Sequence, residues 1–390
     1  MIDRRPRIDG LLVLVSCLSA SLLLSGTAEA RQDGAVYVMT NDRRANEIVV
    51  YERDSQGRLR ENGRALTGGR GSGGGIDPLS SQDSLLLSRE GRSLFAVNAG
   101  SSQISRFFVE GVDIELVDVV GSRGAMPISL TTHEGLLYVL NSGSRPNIHG
   151  FRLKEDGSLR RLTRSKRFLA SDISASGRSE FPVQVSFSPD GSWLVVTDLE
   201  TDEIQVFAVG EDGRPADDAT RWPSVGGGPF GFDFDSRDHL LVSELFGSSP
   251  RGTARAGAVS SYTVASDGSL ELLSRSVDNF QAATCWLVSD GRRSAFTSNT
   301  ASGTLSRYKV RKSGRLRLRG DDGVEFRFPG APAALPIDLA ITPDGRFLYS
   351  LNTGRGTIGM FRVRPNGRLI FLGEAGALPA RSGLQGIAAR

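Results

Sequence analysis

Two cysteines in 390 residues cannot staple a fold of this size, so a disulfide scaffold is excluded. Three histidines, His133, His149 and His239, are too few for a His-rich metal cage. Neither sign of charge dominates. The chain carries 47 basic and 44 acidic residues, a net charge of +3, which gives no argument for nucleic acid. Long apolar runs are also missing. The longest, residues 11–24, has 14 positions, short of the roughly 20 that a membrane helix needs. The 39% hydrophobic content is ordinary and excludes disorder. Glycine is what the chain has in excess, 47 residues, against an average near one in fourteen. That surplus predicts many turns between many short strands.

The N-terminus reads as an address. Arg4, Arg5 and Arg7 form a basic region, the apolar run follows, and Ala28-Glu29-Ala30 ends it. This is the order of a secretory signal peptide, with cleavage expected after Ala30 and a single domain over 31–390. A lipoprotein box at Leu14-Val15-Ser16-Cys17 and an uncleaved anchor are the alternatives. Cleavage leaves the net charge at +3 and Cys285 as the one cysteine, so the exported protein can form no intrachain disulfide. A periplasmic or secreted, soluble monomer without a membrane span is expected.

Internal repeats decide the fold. An aliphatic residue followed three positions later by an aromatic recurs seven times: Ile48/Tyr51, Ile104/Phe107, Ile148/Phe151, Ile204/Phe207, Val259/Tyr262, Leu305/Tyr308 and Ile358/Phe361. An apolar strand ending in Asn41, Asn98, Asn141, Asp198, Glu244, Asn299 or Asn352 precedes each copy. Turns such as Asp190-Gly191, Asp290-Gly291 and Asp344-Gly345 supply the positive φ of hairpins. The aromatics lie 44 to 56 residues apart, the period of a four-stranded propeller blade. The aliphatic and the aromatic have opposite parity and face opposite sides of their sheet. Both sides must then be covered, as they are in a blade held between two others. The expected fold is an all-β, seven-bladed propeller with four antiparallel strands per blade. The first strand, near 36–41, has the character of a second strand, and 383–388 has that of an innermost one. The C-terminal strand should therefore close blade 1.

These turns and strand cores resemble the lactonase-type seven-bladed propellers, such as 6-phosphogluconolactonase and 3-carboxymuconate cyclase. The resemblance is carried by Ser88-Arg89-Glu90-Gly91, Val97-Asn98-Ala99-Gly100-Ser101, Ser188-Pro189-Asp190-Gly191, Ser298-Asn299-Thr300 and Pro343-Asp344-Gly345-Arg346-Phe347-Leu348-Tyr349. It implies a lactone hydrolase or lactonising cycloisomerase, and it also exposes departures. A Pro-His expected in blade 4 reads Pro182-Val183, an Arg-His expected in blade 5 reads Phe230-Gly231, and Thr300 replaces an expected Arg in blade 6. Glu244 alone matches. Losing the His removes a general base, and losing the Arg residues removes anion stabilisation. The chain is similar to a secreted branch marked by Asp77-Pro78-Leu79-Ser80-Ser81-Gln82 and Thr284-Cys285-Trp286.

The face carrying the outer-to-inner and second-to-third loops is the expected ligand site. Gln82, Gln184, Gln281 and Asp338 should enter it from innermost strands, Asp198 and Glu244 from second-strand ends, and Arg123 and Arg145 from the loops of blade 3. Glu244 is the candidate catalytic acid or base; the others are candidate ligand contacts. The bland alternative is that they line a watery channel and satisfy strand-end amides. The seven Asn, Asp and Glu at second-strand ends read as turn chemistry. No cofactor is expected, with a divalent cation shared by Glu244 and Asp198 as the alternative. The partner is a sugar acid or lactone, or else a protein or carbohydrate; the departures favour binding over catalysis. The Gly-rich stretch 67–75 reads as a flexible connection, 246–258 as a lid or surface loop, and Cys285 as a small buried hydrophobe.

Overall fold

Every regular element in the computed structural model is a strand, and the described residues besides Met1 are 34–169, 179–320, 322–331 and 333–390. The predicted signal peptide, its cleavage site after Ala30 and the box at Cys17 lie outside them. Residues Asp33–Arg390 cluster as one unit. Seven antiparallel sheets make seven blades, and blades 3 and 6 each gain a short fifth strand, Arg167–Phe168 and Phe326–Arg327, on their third strand. All seven aliphatic–aromatic pairs of the third strands are buried, from Ile48 and Tyr51 at 0% and 1% to Ile358 and Phe361 at 0%. Each fills the gap to one flanking blade, and one such side chain contributes about 1.5–3 kcal/mol.

Closure follows the sequence expectation. Ile387–Ala389 is the innermost strand of blade 1 and pairs with Gly34–Met39, Val38 opposite Ile387 and Val36 opposite Ala389. Leu384, Ile387 and Ala388 are buried at this seam.

Turn glycines lock neighbouring blades. Gly57 lies between the third and outermost strands of blade 1, with φ 86°, and a Cβ there would sit 2.3 Å from the Phe347 ring of blade 7. Its carbonyl accepts a 3.1 Å hydrogen bond from the Tyr349 hydroxyl. Only glycine fits such a turn at such a contact. The 67–75 stretch is likewise a fitted connection and not a loose one. Gly71 donates to the Asp42 carbonyl at 2.7 Å and Gly73 to that of Asn41 at 2.9 Å. A Cβ on Gly71 would lie 2.1 Å from Asn41 backbone. Close backbone approach, not flexibility, is why those positions are glycine.

The innermost strands of blades 3 to 7 carry register irregularities, at Pro127/Ser129, Pro182/Gln184, Pro229/Phe232, Thr284/Leu287 and Ile337/Leu339. Bulges re-aim side chains, and Gln184 and Asp338 sit at two of them. In blade 2 the innermost strand shrinks to Leu85–Leu87. The residues before it, 81–83, make contacts to five other blades.

Candidate functional site at the ring centre

Ser81 and Gln82 tie the middle of the ring together. The Ser81 carbonyl accepts from Trp286 Nε1 of blade 6 at 2.8 Å and from Gln385 Nε2 of the closing segment at 3.3 Å. Its hydroxyl donates to the Ile128 carbonyl of blade 3 at 2.8 Å. Gln82 donates through Nε2 to the carbonyls of Phe232 in blade 5 (3.2 Å) and Leu287 in blade 6 (2.9 Å), and its Oε1 accepts from the Leu287 amide at 2.9 Å. Gln184 does the same from blade 4. Its Nε2 donates to Asp83 Oδ2 at 2.7 Å and to the Phe232 carbonyl at 3.1 Å, while its Oε1 accepts from the Phe232 amide at 2.7 Å. Bulged strands leave backbone groups without ladder partners, and an unpaired buried amide costs about 1–3 kcal/mol. The two glutamines supply those partners.

Asp338 is 2% exposed and ties blade 7 to the closing strand: Oδ1 accepts from the Leu339 amide at 2.9 Å and Oδ2 from that of Ile387 at 3.2 Å. Burial, then the nearby Asp83 charge, pushes its carboxyl well above the usual range. Gln281 donates to the Asp322 carbonyl at 2.9 Å and accepts from Thr304 Oγ1 at 3.1 Å. Asp198 accepts from the amides of Phe181, Glu200 and Thr201, which satisfies a strand end as expected of its turn role.

Two of the asparagines at the other strand ends, Asn98 and Asn299, bond side chains of neighbouring strands. Asn98 reaches across to the third strand, donating to Ser105 Oγ at 2.7 Å, and accepts from Thr67 Oγ1 at 2.7 Å. Asn299 repeats this with Ser306 at 2.8 Å and Thr284 at 2.7 Å. They bolt strands together, where a bond to the backbone two residues on was expected. Glu244 holds the same position in blade 5. It is 0% exposed, Ser276 donates to its Oε2 at 2.5 Å and Ser260 to its Oε1 at 2.5 Å. Ser260 stands opposite Val242, as Ser105 stands opposite Ala96 and Ser306 opposite Thr297. Burial pushes the Glu244 carboxyl up to about 7, against the opposing serine hydrogen bonds. A Cβ on Gly226 would fall 1.9 Å from Oε2, so backbone seals the group from that side.

Glu244 and Asp198 are each held by other parts of the chain. Their oxygens are engaged by amides and hydroxyls, and the described residues contain no group of three or more metal-ligating side chains. The arginines do not converge on Glu244 either. Arg123 lines a pocket on blade 3, and Arg145 covers the Phe168 ring at 3.8 Å. Arg251, from the 246–258 loop, pairs with Asp202 of blade 4 at 2.6 Å. Cys285 is buried with its thiol pushed up by burial, as expected.

A cavity of about 860 Å³ opens on the face opposite the expected one, among blades 2, 3 and 4. Leu86, Arg106, Thr132, Ser186 and Phe187 line it, with Asp233 among the lining groups. Asp233 accepts from the Phe234 and Ser289 amides, each at 2.8 Å, yet burial holds its carboxyl at about 6. Asp83 lies at about 7, raised by burial and then by the Asp233 charge. Asp233 lines the cavity and Asp83 does not, but two buried acids with raised carboxyls this close together mark a functional candidate. The sequence reading missed both. The available signal was a pair of acidic residues in inner-strand segments otherwise filled by Leu, Val and Phe.

A ring of seven four-stranded blades closed by its own C-terminus defines the class, a seven-bladed β-propeller. The likeness to the lactonase-type propellers is borne out by sequence and by fold. The family described as "Lactonase, 7-bladed beta-propeller" matches residues 76–245. A 6-phosphogluconolactonase of Formosa agariphila is 23% identical over 310 residues, 74% of this chain and 82% of its own. The periplasmic gluconolactonase of Pseudomonas aeruginosa shares the fold at TM-score 0.63 and 18% identity, covering 90% of this chain and 98% of that one. A Lactobacillus plantarum protein does so at 0.68 and 17%, covering 92% and 98%.

Proposed function

We propose that the chain is an exported lactonase-family propeller that binds a small hydroxyl-rich ligand, a sugar acid or lactone, without the usual lactonase chemistry. The observation that carries this is the placement of Glu244. The one residue matching the family's catalytic pattern is enclosed, holds two serines in a bolt that asparagines make elsewhere, and has no arginine beside it. The ligand takes the 860 Å³ cavity, whose size suits a small molecule and whose Thr132, Ser186 and Asp233 suit hydroxyl groups. The lactonase names of the relatives support the ligand class. A hydrolytic reading has one feature in its favour: burial raises the carboxyls of Asp83 and Asp233 to about 7 and about 6, toward the range in which a carboxyl exchanges protons at neutral pH.

Calorimetry with gluconate and gluconolactone, with hydrolysis followed in parallel, tests the proposal. Binding without turnover is expected, and Thr132→Trp, which fills the cavity, should abolish it. Turnover above the buffer rate that Asp233→Asn removes would establish the hydrolytic reading instead. Heat silence with every such ligand would point to a macromolecular partner and overturn this one. Export rests on residues 4–30. The first residue of protein recovered from the periplasm or medium should be Arg31.

A further inference from the structure

Blade 3 carries a second pocket, of about 390 Å³, lined by Arg123, His149, Arg161, Arg164 and Lys166. No acidic residue lines it. Among the described residues none of these four cations has an ion-pair partner, although Arg167 next to Lys166 pairs with Asp217. The walls come from three segments of one blade. Arg123 sits on the loop entering it, His149 on its third strand Asn147–Leu153, and Arg161 ends its outermost strand Leu159–Arg161. Lys166 Nζ donates to the Arg123 carbonyl at 2.5 Å and joins two of the walls. Arg123 and Arg164 both hold left-handed backbone, φ 68° and 61°, which a non-glycine residue adopts at a cost.

His149 is the informative member. It is 2% exposed, and neither ring nitrogen has a hydrogen-bond partner. A buried polar group without a partner costs free energy, and a histidine without one that also lines a cavity is a donor waiting for an acceptor. Burial, then the charges of Arg161, Lys166 and Arg123, push its imidazole down to about 4. Protein groups thus keep the ring neutral and leave one N–H unpartnered at the edge of a space ringed by cations. Phe151 packs against the ring edge at 5.3 Å and fixes its plane.

We infer that this pocket is a binding site for a tetrahedral oxyanion, a phosphate or sulfate group carried by a small molecule. Several oxygens with negative charge would accept from His149 and from three arginine forks, the arrangement that guanidinium groups recognise best. The anion would also neutralise the mutual repulsion of the cations. The site is separate from the 860 Å³ cavity and shares no lining residue with it. It stands whether or not the sugar-acid reading does.

With three histidines in the chain, imidazole resonances give a direct readout. Inorganic phosphate and inorganic sulfate are titrated separately at pH 7, against sodium chloride of matched ionic strength. Either anion should shift the His149 signals saturably, leave His133 and His239 in place, and raise the His149 pKa by at least about one unit, the linkage expected of an adjacent anion. The double variant Arg123→Ala/Arg161→Ala, both exposed positions, should bind at least about tenfold more weakly. His149→Phe should weaken binding, read by calorimetry, while retaining the fold. Shifts that grow linearly without saturating, that chloride reproduces, or that survive in the double variant would overturn the assignment.

Discussion

The ring centre and the rim of blade 3 both concentrate polar side chains, but they spend them differently. At the centre Gln82, Gln184 and Asp338 are engaged with other blades, and Glu244 is engaged with serines of its own blade. At the rim four cations and one histidine face a pocket with almost no partners of their own. The difference teaches that polar residues gathered at a ring axis can be taken up by the fold itself. Once bulged strands and a shared segment leave amides to satisfy, the polar residues at the axis become part of the fold. Groups the fold does not consume are the ones left for ligands.

Breaking the centre should therefore cost stability, and breaking the rim should not. The largest effect is expected at the seam. Deleting residues 384–390 removes buried Leu384 and Ile387 and the pairing with Gly34–Met39. Roughly 5 kcal/mol or more is lost, so thermal melting should show a steep drop or no folded protein; a melt like that of the full chain would disprove closure. Next comes Gln82→Ala, which strands Phe232 and Leu287 backbone groups of two blades. It should lower unfolding free energy by about 2–4 kcal/mol in urea, with activity-independent effect.

An effect of comparable size is pH-dependent. Burial raises Glu244 to about 7 from an unfolded value of 4.5, and Asp77, Asp83 and Asp233 to about 7, 7 and 6. For such acids the folded state binds protons more tightly. The penalty is absent below pH ~4.5 and grows as pH rises through the folded values. Stability should fall between pH 5 and 8. For Glu244 alone the fall is on the order of 3 kcal/mol, and Glu244→Gln should flatten the profile by that share. Unchanged steepness in the variant would mean that Glu244 is not buried as a carboxyl. The smallest effect belongs to the rim. Arg161→Ala should leave stability within about 0.5 kcal/mol of wild type, the sharpest contrast with Gln82→Ala.

The propeller was legible because its information is local. An aliphatic, an aromatic and a turn recur within one blade, and Ile48/Tyr51 shows the same parity as Ile358/Phe361. The closing strand was legible because a missing innermost strand at one end matched a spare one at the other. The ring centre was not, because its partners are far apart in the chain: Gln82 meets Leu287, and Ser81 meets Trp286, 205 positions on. Glu244 and Ser260 stand 16 positions apart, where Asn98 and Ser105 stand 7 apart, because the 246–258 loop lies between them. That loop hid their equivalence until the register placed both serines in one row. Nor could sequence say that Arg123 and Lys166 would meet around an unpartnered His149.

Glu244 offers the most direct test of whether the family's matched acid takes part in chemistry. Wild type and Glu244→Gln, both checked for an intact fold by circular dichroism, should each hydrolyse lactones no faster than the buffer control. A wild-type rate that the variant loses tenfold or more, with its fold unchanged, would return this residue to the chemistry and contradict its assignment as a strand bolt.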